Sequence, residues 1–323
     1  MKAAVLAKYG PPDVVRIAEV DDPSVGDADV LVRVHATTVN RTDCGYRAAK
    51  PFIIRAISGP LRPRRKVLGT EFAGVVEAAG SAVTSFAVGD RVFGYNEGPF
   101  GTHAEYLSVP ADGMIAAIPA GVTFAEAAPG TEGSHYALSA IRTAGVGAGQ
   151  DVLVYGATGA IGSAAVQLLK SLDVTVTAVC DTANLELVRG LGADRVVDYT
   201  AQDFTEDEQR YDLVFDAVGK STFGRCKRLL KSDGVYVSSD LGPWSQNLVL
   251  PLVTPLLGRK RVKFAYPQAG QEVMRHLAEL IESGQFRPVI DRRYPLDQIV
   301  DAYRYVESGR KVGNVVIDVV PPS

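Results

Sequence analysis

The spacing of apolar and polar positions changes near residue 124. Before that point short runs alternate residue by residue, the period of half-buried β-strands. They cover 3–6, 14–20, 30–39, 72–79, 91–95 and 104–109, divided by turn signals such as Asp21-Asp22-Pro23, Val88-Gly89-Asp90 and Pro110-Ala111-Asp112-Gly113. The pattern predicts a small antiparallel barrel. From 124 to 143 apolar residues recur at helical spacing, interrupted at Pro129-Gly130. Strands over 152–155, 174–179, 195–198, 213–217, 235–239 and 262–265 then follow, with helices over 161–172, 183–191 and 221–230. Strands joined by crossover helices predict a parallel, doubly wound sheet. A helix over 271–283 and the stretch 289–320 read as a return to the first domain. The expected domains are 1–124 with 268–323, and 125–267.

The strand 152–155 runs into Gly156-Ala157-Thr158-Gly159-Ala160-Ile161-Gly162, and Asp181 follows the next strand, nineteen positions after Gly162. Strand, glycine turn, helix, strand and acid in this order make a dinucleotide-binding unit. Glycines let backbone approach a pyrophosphate, and the helix N-terminus at Gly159, Ala160, Ile161 and Gly162 offers N–H groups and a positive dipole end. Small residues needed only for packing are the competing reading, and the register of all five parts argues against it. Asp181 can accept from ribose hydroxyls and repel a 2′-phosphate, which favours NAD(H) over NADP(H). It can also cap the helix that follows.

Composition changes this picture only by exclusion. With 46% apolar and 22% charged residues and net charge −3, nothing marks a nucleic-acid or anionic membrane partner. The basic run Arg62-Pro63-Arg64-Arg65-Lys66 reads as a solvated loop. Three cysteines, Cys44, Cys180 and Cys226, lack the spacing of a disulfide framework or a thiolate zinc site. No stretch is long enough to span a bilayer, and a reducing cytoplasm is expected.

Four further segments are VNRTD at 39–43, GTEFAGVVEAAGSAV at 69–83, VGDRVFGY at 88–95 and VFDAVG at 214–219. With the glycine turn, they resemble the medium-chain dehydrogenase/reductase superfamily over nearly the whole chain. The branch they resemble is that of the zinc-free quinone oxidoreductases related to zeta-crystallin and enone reductases. The resemblance implies an α/β protein with a GroES-like β-barrel catalytic domain and a doubly wound Rossmann domain. Zinc alcohol dehydrogenases carry a cysteine where Asn40 stands and a histidine where Thr70 stands, so zinc is not expected. Without a metal, hydride addition to an enone, quinone or enoyl compound is the reaction it implies, because conjugation spreads the developing charge.

The same resemblance places Asn40 beside the nicotinamide, makes Thr42 a proton-passing hydroxyl and sets Tyr46 in the substrate pocket, these three being the catalytic candidates. Asn40 directly follows the strand expected over 30–39, so it can equally cap the turn that follows. Tyr95, Asn96 and Phe100 are a second candidate pocket wall, and Thr131 meets nicotinamide or substrate. Tyr199, Val218 and Asn314 complete the cofactor set. Apolar residues of the 48–65 insertion (Phe52, Ile53, Ile54, Ile57) are candidate pocket cover. Glu132 reads as a capping acid, His135 as a core residue able to titrate, and Asp43 as the partner of an arginine. A homodimer is implied, with strand 262–265 pairing to its copy. Two other readings stand beside this one: a zinc-dependent alcohol dehydrogenase with improvised ligands from Cys44, His103 and His135, and a non-catalytic NAD(P)-binding protein of redox-sensing or crystallin type.

Overall fold

A computed structural model describes residues 1–52, 54–267 and 269–321. The chain forms two compact units, Met1–Glu132 with Ala269–Ser283 and Pro288–Ser323, and Gly133–Gln268 with Gly284–Arg287. The first unit runs eight residues past the expected boundary at 124, because the apolar run from there is three pieces. They are a helix Phe124–Ala127, a 3-10 turn Ala128–Gly130 and a helix Glu132–Ala144. Pro129 lies inside the new turn and lacks the N–H that would continue the first helix.

The first unit is built on strand Asp29–Val39. One edge pairs antiparallel with Glu71–Ala79. The other edge is shared, with residues 29–33 paired to Tyr106–Pro110 and residues 36–39 to Asn314–Asp318. Arg91–Tyr95 and Ile115–Ala117 extend the sheet on one side and Ile290–Pro295 on the other. Val30, Val32, Val34, Phe72, Val76, Val92 and Ile115 fill its interior. A second cluster packs Val39, Cys44, Phe100, Tyr303 and Ile317 between this sheet, the helix Arg41–Ala48 and the helix Ile299–Glu307. The C-terminal return, legible in sequence only as a stretch, thus supplies two strands and a helix.

The second unit is a six-stranded parallel sheet. Its order is Arg195–Asp198, Thr175–Cys180, Asp151–Tyr155, Tyr211–Asp216, Leu230–Ser238, Arg261–Lys263. That is the doubly wound order, with the switch between the third and fourth strands in this list. Two expectations are corrected. The helix expected over 221–230 is only Phe223–Cys226 and a 3-10 turn, because the long strand already starts at Leu230. Residues Gln246–Leu257, for which no element was expected, form a helix despite Pro251 and Pro255. Those prolines stand one helical turn apart, so the two missing donors fall on one side of it.

Candidate active site

In the second unit the strand Asp151–Tyr155 ends at Gly156, whose φ of +84° favours glycine. Gly162 is required by space, since a Cβ there would lie 2.1 Å from the Gly156 carbonyl oxygen. The helix Ala160–Lys170 begins after Gly159, and no side chain caps it among the described residues. A Cβ on Gly159 would meet nothing nearer than 3.7 Å, so this side of the turn is open. The turn is therefore a cradle with uncapped N–H groups and a positive dipole end, which fits a pyrophosphate. Ala157, at a position often glycine, is fully buried, with its N–H on the Val179 carbonyl at 3.1 Å.

Asp181 ends the strand Thr175–Cys180. It makes no capping bond and instead accepts from Asn184 Nδ2 at 2.6 Å. Arg189, the nearest base in this loop, pairs with Glu186. Tyr199 is half exposed and borders a groove of about 390 Å³ with Tyr155, Asp203, Phe204 and Arg225. Val218 lies directly over Gly156, where a Cβ would approach its side chain to 2.3 Å. The loop carrying Val218 is shaped by Asp216, a buried acid in the VFDAVG segment that residue reasoning had not singled out. Its carboxyl accepts the N–H groups of Val218, Gly219 and Ser221 at 3.2, 2.8 and 2.8 Å.

In the first unit the structure brings most remaining candidates into one hydrogen-bonded group. Asn40 is the N-cap of helix Arg41–Ala48, its Oδ1 accepting from Asp43 N at 2.9 Å. Its Nδ2 donates to Thr70 Oγ1 at 2.8 Å and to Glu132 Oε2. Thr70 Oγ1 also donates to Glu132 Oε2 at 2.8 Å, and Thr42 Oγ1 donates to Glu132 Oε1 at 2.7 Å. Glu132 is thus no capping acid. The cap of its helix is Glu71, which accepts the N–H groups of Glu132 and Thr131 at 2.6 and 3.2 Å and the Thr131 hydroxyl at 2.9 Å. Thr38 completes Glu71 with a bond of 2.6 Å.

Burial pushes the carboxyls of Glu132 and Glu71 above the usual carboxylate range, and for Glu132 the neighbouring Glu71 and Asp43 add to it. Asp43 is raised to about 7 by burial. Its partners are the N–H groups of Asn40 and Gly69 at 3.1 and 3.0 Å, in place of the arginine expected. Arg47 pairs with Glu307.

Tyr46 is partly exposed and meets Phe100 edge to face, with ring centroids 4.6 Å apart. Phe100 itself is buried in the core, and Asn96 Nδ2 donates to its carbonyl at 2.7 Å. Tyr95 is buried with its hydroxyl on Glu97 at 2.8 Å. Asn96, Phe100 and Thr131 are therefore buried, while Tyr46 and Thr42 keep exposed surface. Asn314 precedes Val315, which pairs with Val39, and its amide donates to the Val289 carbonyl at 3.0 Å. In the 48–65 insertion Phe52 is 79% exposed. Ile53 and the side chain of Ile57 lie outside the described residues.

A zinc ion does not fit the donor set. Positions 40 and 70 hold an amide and a hydroxyl, and both already converge on Glu132. His103 is buried on the Thr38 carbonyl at 2.7 Å, and burial lowers its pKa to about 4. Burial lowers His135 to about 4 as well. Both imidazoles are neutral core groups at physiological pH.

A family described as "Alcohol dehydrogenase GroES-like domain" matches residues 26–120, and one described as "Zinc-binding dehydrogenase" matches 191–317. The chain is 33% identical to a 2-methylene-furan-3-one reductase of Solanum lycopersicum, over 99% of this chain and 80% of that one. It is 32% identical, with the same coverage, to a chloroplastic NADPH-dependent alkenal/one oxidoreductase of Arabidopsis thaliana. Among solved structures a quinone oxidoreductase from Coxiella burnetii superimposes with a TM-score of 0.89 at 27% identity, covering 99% of both chains.

Proposed function

The chain belongs to the medium-chain dehydrogenase/reductase superfamily, and from that premise we propose that it is an NAD(P)H-dependent reductase of conjugated carbonyl compounds, acting without zinc. The observation that carries the reading is the convergence of Asn40, Thr42 and Thr70 on the Glu132 carboxyl, where zinc-containing relatives place metal ligands. A site with hydrogen-bond donors and no Lewis acid suits acceptors whose charge is delocalised, namely quinones, enones and enoyl compounds.

When bound, the nicotinamide supplies hydride to the β-carbon of the acceptor. In this reading the uncapped turn Gly159–Gly162 holds the pyrophosphate, and Tyr199 and Val218 flank the adenosine side. Asn40, Thr131 and Asn314 shape the nicotinamide end. Asp181 accepts from the ribose hydroxyls, which favours NAD(H), with Arg189 already engaged by Glu186. Tyr46 packs on the flat acceptor and donates toward its oxygen, and Tyr95, Asn96 and Phe100 back that wall. Thr42 offers the exposed hydroxyl.

The protein acts as a homodimer in this proposal. Strand Arg261–Lys263 ends its sheet, and beside it in sequence the helix Gln246–Leu257 exposes Leu252 and Leu256 at 75% and 85%. The buried, free cysteines Cys44, Cys180 and Cys226 suit a reducing compartment, and the cytoplasm is the proposed one. No helix among the described residues is long and apolar enough to cross a membrane.

A panel of quinones, enones, enoyl thioesters and simple alcohols, run with NADH and NADPH, tests the reading. Turnover of conjugated acceptors and neglect of simple alcohols is the expected result. Alcohol oxidation dependent on added zinc would replace it with the metal reading. Saturable cofactor binding without turnover of any acceptor would replace it with a non-catalytic role.

A further inference from the structure

Three acids, Asp43, Glu71 and Glu132, lie buried in the first unit, and their partners sort them. Asp43 accepts from two backbone N–H groups, and Glu71 from two backbone N–H groups and two hydroxyls. A backbone N–H can only donate, so protonating Asp43 sets a donor against a donor, and Glu71 accommodates a proton only on Oε2, against the fully buried Thr38 hydroxyl. Glu132 is held differently. Among the described residues its carboxyl bonds to side chains alone: the Asn40 amide and Thr70 hydroxyl on Oε2, and the Thr42 hydroxyl on Oε1.

A hydroxyl can reverse its role. With a proton on Oε1, Glu132 donates to Thr42, and the Thr42 hydrogen is released to point elsewhere. Every other bond in the group survives. Of Asn40, Thr42, Thr70 and Glu132, only Thr42 keeps partial exposure, so it is the outlet of the network. No lysine or arginine bonds to Glu132 among the described residues. Lys311 acts on it only through its field, with its ammonium on the Gly313 carbonyl at 2.5 Å, and Asp43 and Glu71 oppose that field.

We infer that Glu132 is the resident proton carrier of the reduction and that Thr42 delivers its proton to the substrate. The inference rests on the reading of function given above. Hydride gained at the β-carbon leaves an enolate or phenolate that needs one proton. The Thr42 O–H bond breaks as an O–H or α-C–H bond forms on the product. The Glu132 O–H bond breaks as that of Thr42 is restored. Glu132 is left as carboxylate and takes a proton from water before the next turnover. The substrate gains one hydride and one proton, and the cofactor alone is oxidised.

Glu132→Gln is the discriminating variant. Its Oε1 can accept from Asn40 and Thr70 while Nε2 donates to Thr42, so it copies the protonated acid but has no proton to give. The expected result is a fall in kcat of about 10²-fold or more with KM little changed. The wild-type decline of kcat with rising pH, as Glu132 loses its proton, is expected to vanish. Thr42→Ser keeps the rate and Thr42→Val loses it, which tests the relay even if Glu132→Gln folds poorly. An infrared difference spectrum of cofactor-free wild type against Glu132→Gln at neutral pH should contain the carbonyl stretch of a protonated carboxylic acid. Wild-type rates and pH profile in Glu132→Gln, or carboxylate bands alone in the difference spectrum, overturn the inference and leave the function standing. Failure of wild type to reduce any conjugated carbonyl removes the function and the inference together.

Discussion

Thr42 donates to Glu132 at 2.7 Å across ninety positions of sequence. Thr42 lies in the first turn of a short helix, and Glu132 opens a helix of its own. Because Asn40 and Thr70 bind the other carboxylate oxygen, one acid ties strand end, loop and helix together. A buried carboxyl with neutral donors and no salt-bridge partner is costly to ionise. The arrangement therefore links the stability of this unit to protonation, as well as linking a proton to the site.

Replacing Asn40 by Asp isolates that electrostatic cost. Aspartate caps a helix as well as asparagine does, so the change falls on the amide facing Glu132. A second carboxylate there should destabilise the unit by about 3 kcal/mol. The loss should be larger at pH 8 than at pH 5, where a shared proton restores the bond. Thermal melting at the two pH values checks this, and equal losses at both would count against it.

Asp43 makes its own pH signature. Its folded pKa of about 7 lies above the ordinary aspartate value of 3.8, so the unfolded chain releases the proton first. Its contribution is fully present below about pH 4 and is lost as pH rises toward 7. His103 and His135, lowered to about 4, act oppositely between pH 4 and 6.5 and mask the trend. Asp43→Asn should unmask it. Between pH 5 and 7 its stability should rise by about 2 kcal/mol relative to the wild-type change, read from urea midpoints. Parallel pH curves for the two proteins would refute it.

Two glycines separate folding from binding. Gly162→Ala drives a Cβ to 2.1 Å from the Gly156 carbonyl and should distort the turn, lowering both stability and affinity for the dinucleotide. Gly159→Ala meets only an atom at 3.7 Å. It should melt like wild type while binding NADH about tenfold more weakly, since its methyl covers the open side of the cradle. Calorimetric titration beside thermal melting tells the two apart.

Asp181→Ser removes the acid proposed to face the ribose and should raise the ratio of kcat/KM for NADPH over NADH by about tenfold, roughly 1.4 kcal/mol. An unchanged ratio means that Asp181 does not choose the cofactor.

The exposed helix face offers the last test. Leu252→Asp with Leu256→Asp places two charges where the proposed dimer seam lies, with no buried contact to lose within the chain. Sedimentation should show a monomer for the double variant and a dimer for wild type. A wild-type monomer, or a dimer in both, sinks the proposed interface.

Local chemistry carries much of this protein in its sequence. The glycine turn is legible because Gly156 and Gly162 answer to sterics within seven residues, and five of the six parallel strands because each holds a short valine-rich or leucine-rich core between turn and helix segments. The sixth, Arg261–Lys263, is shorter than its expected 262–265, and Ile115–Ala117 was not foreseen, since three residues hold too little pattern to register. What only the tertiary structure decides is which groups face one another. Asn40, Thr42 and Thr70 could be marked through the resemblance to zinc-containing relatives, but the acid that joins them could not. Glu132 looked like a helix cap because its own segment fits that role. Glu71, sixty-one positions earlier, takes the role instead. Hydrogen bonds between elements depend on burial and register set by the whole core, and no short window of sequence contains them.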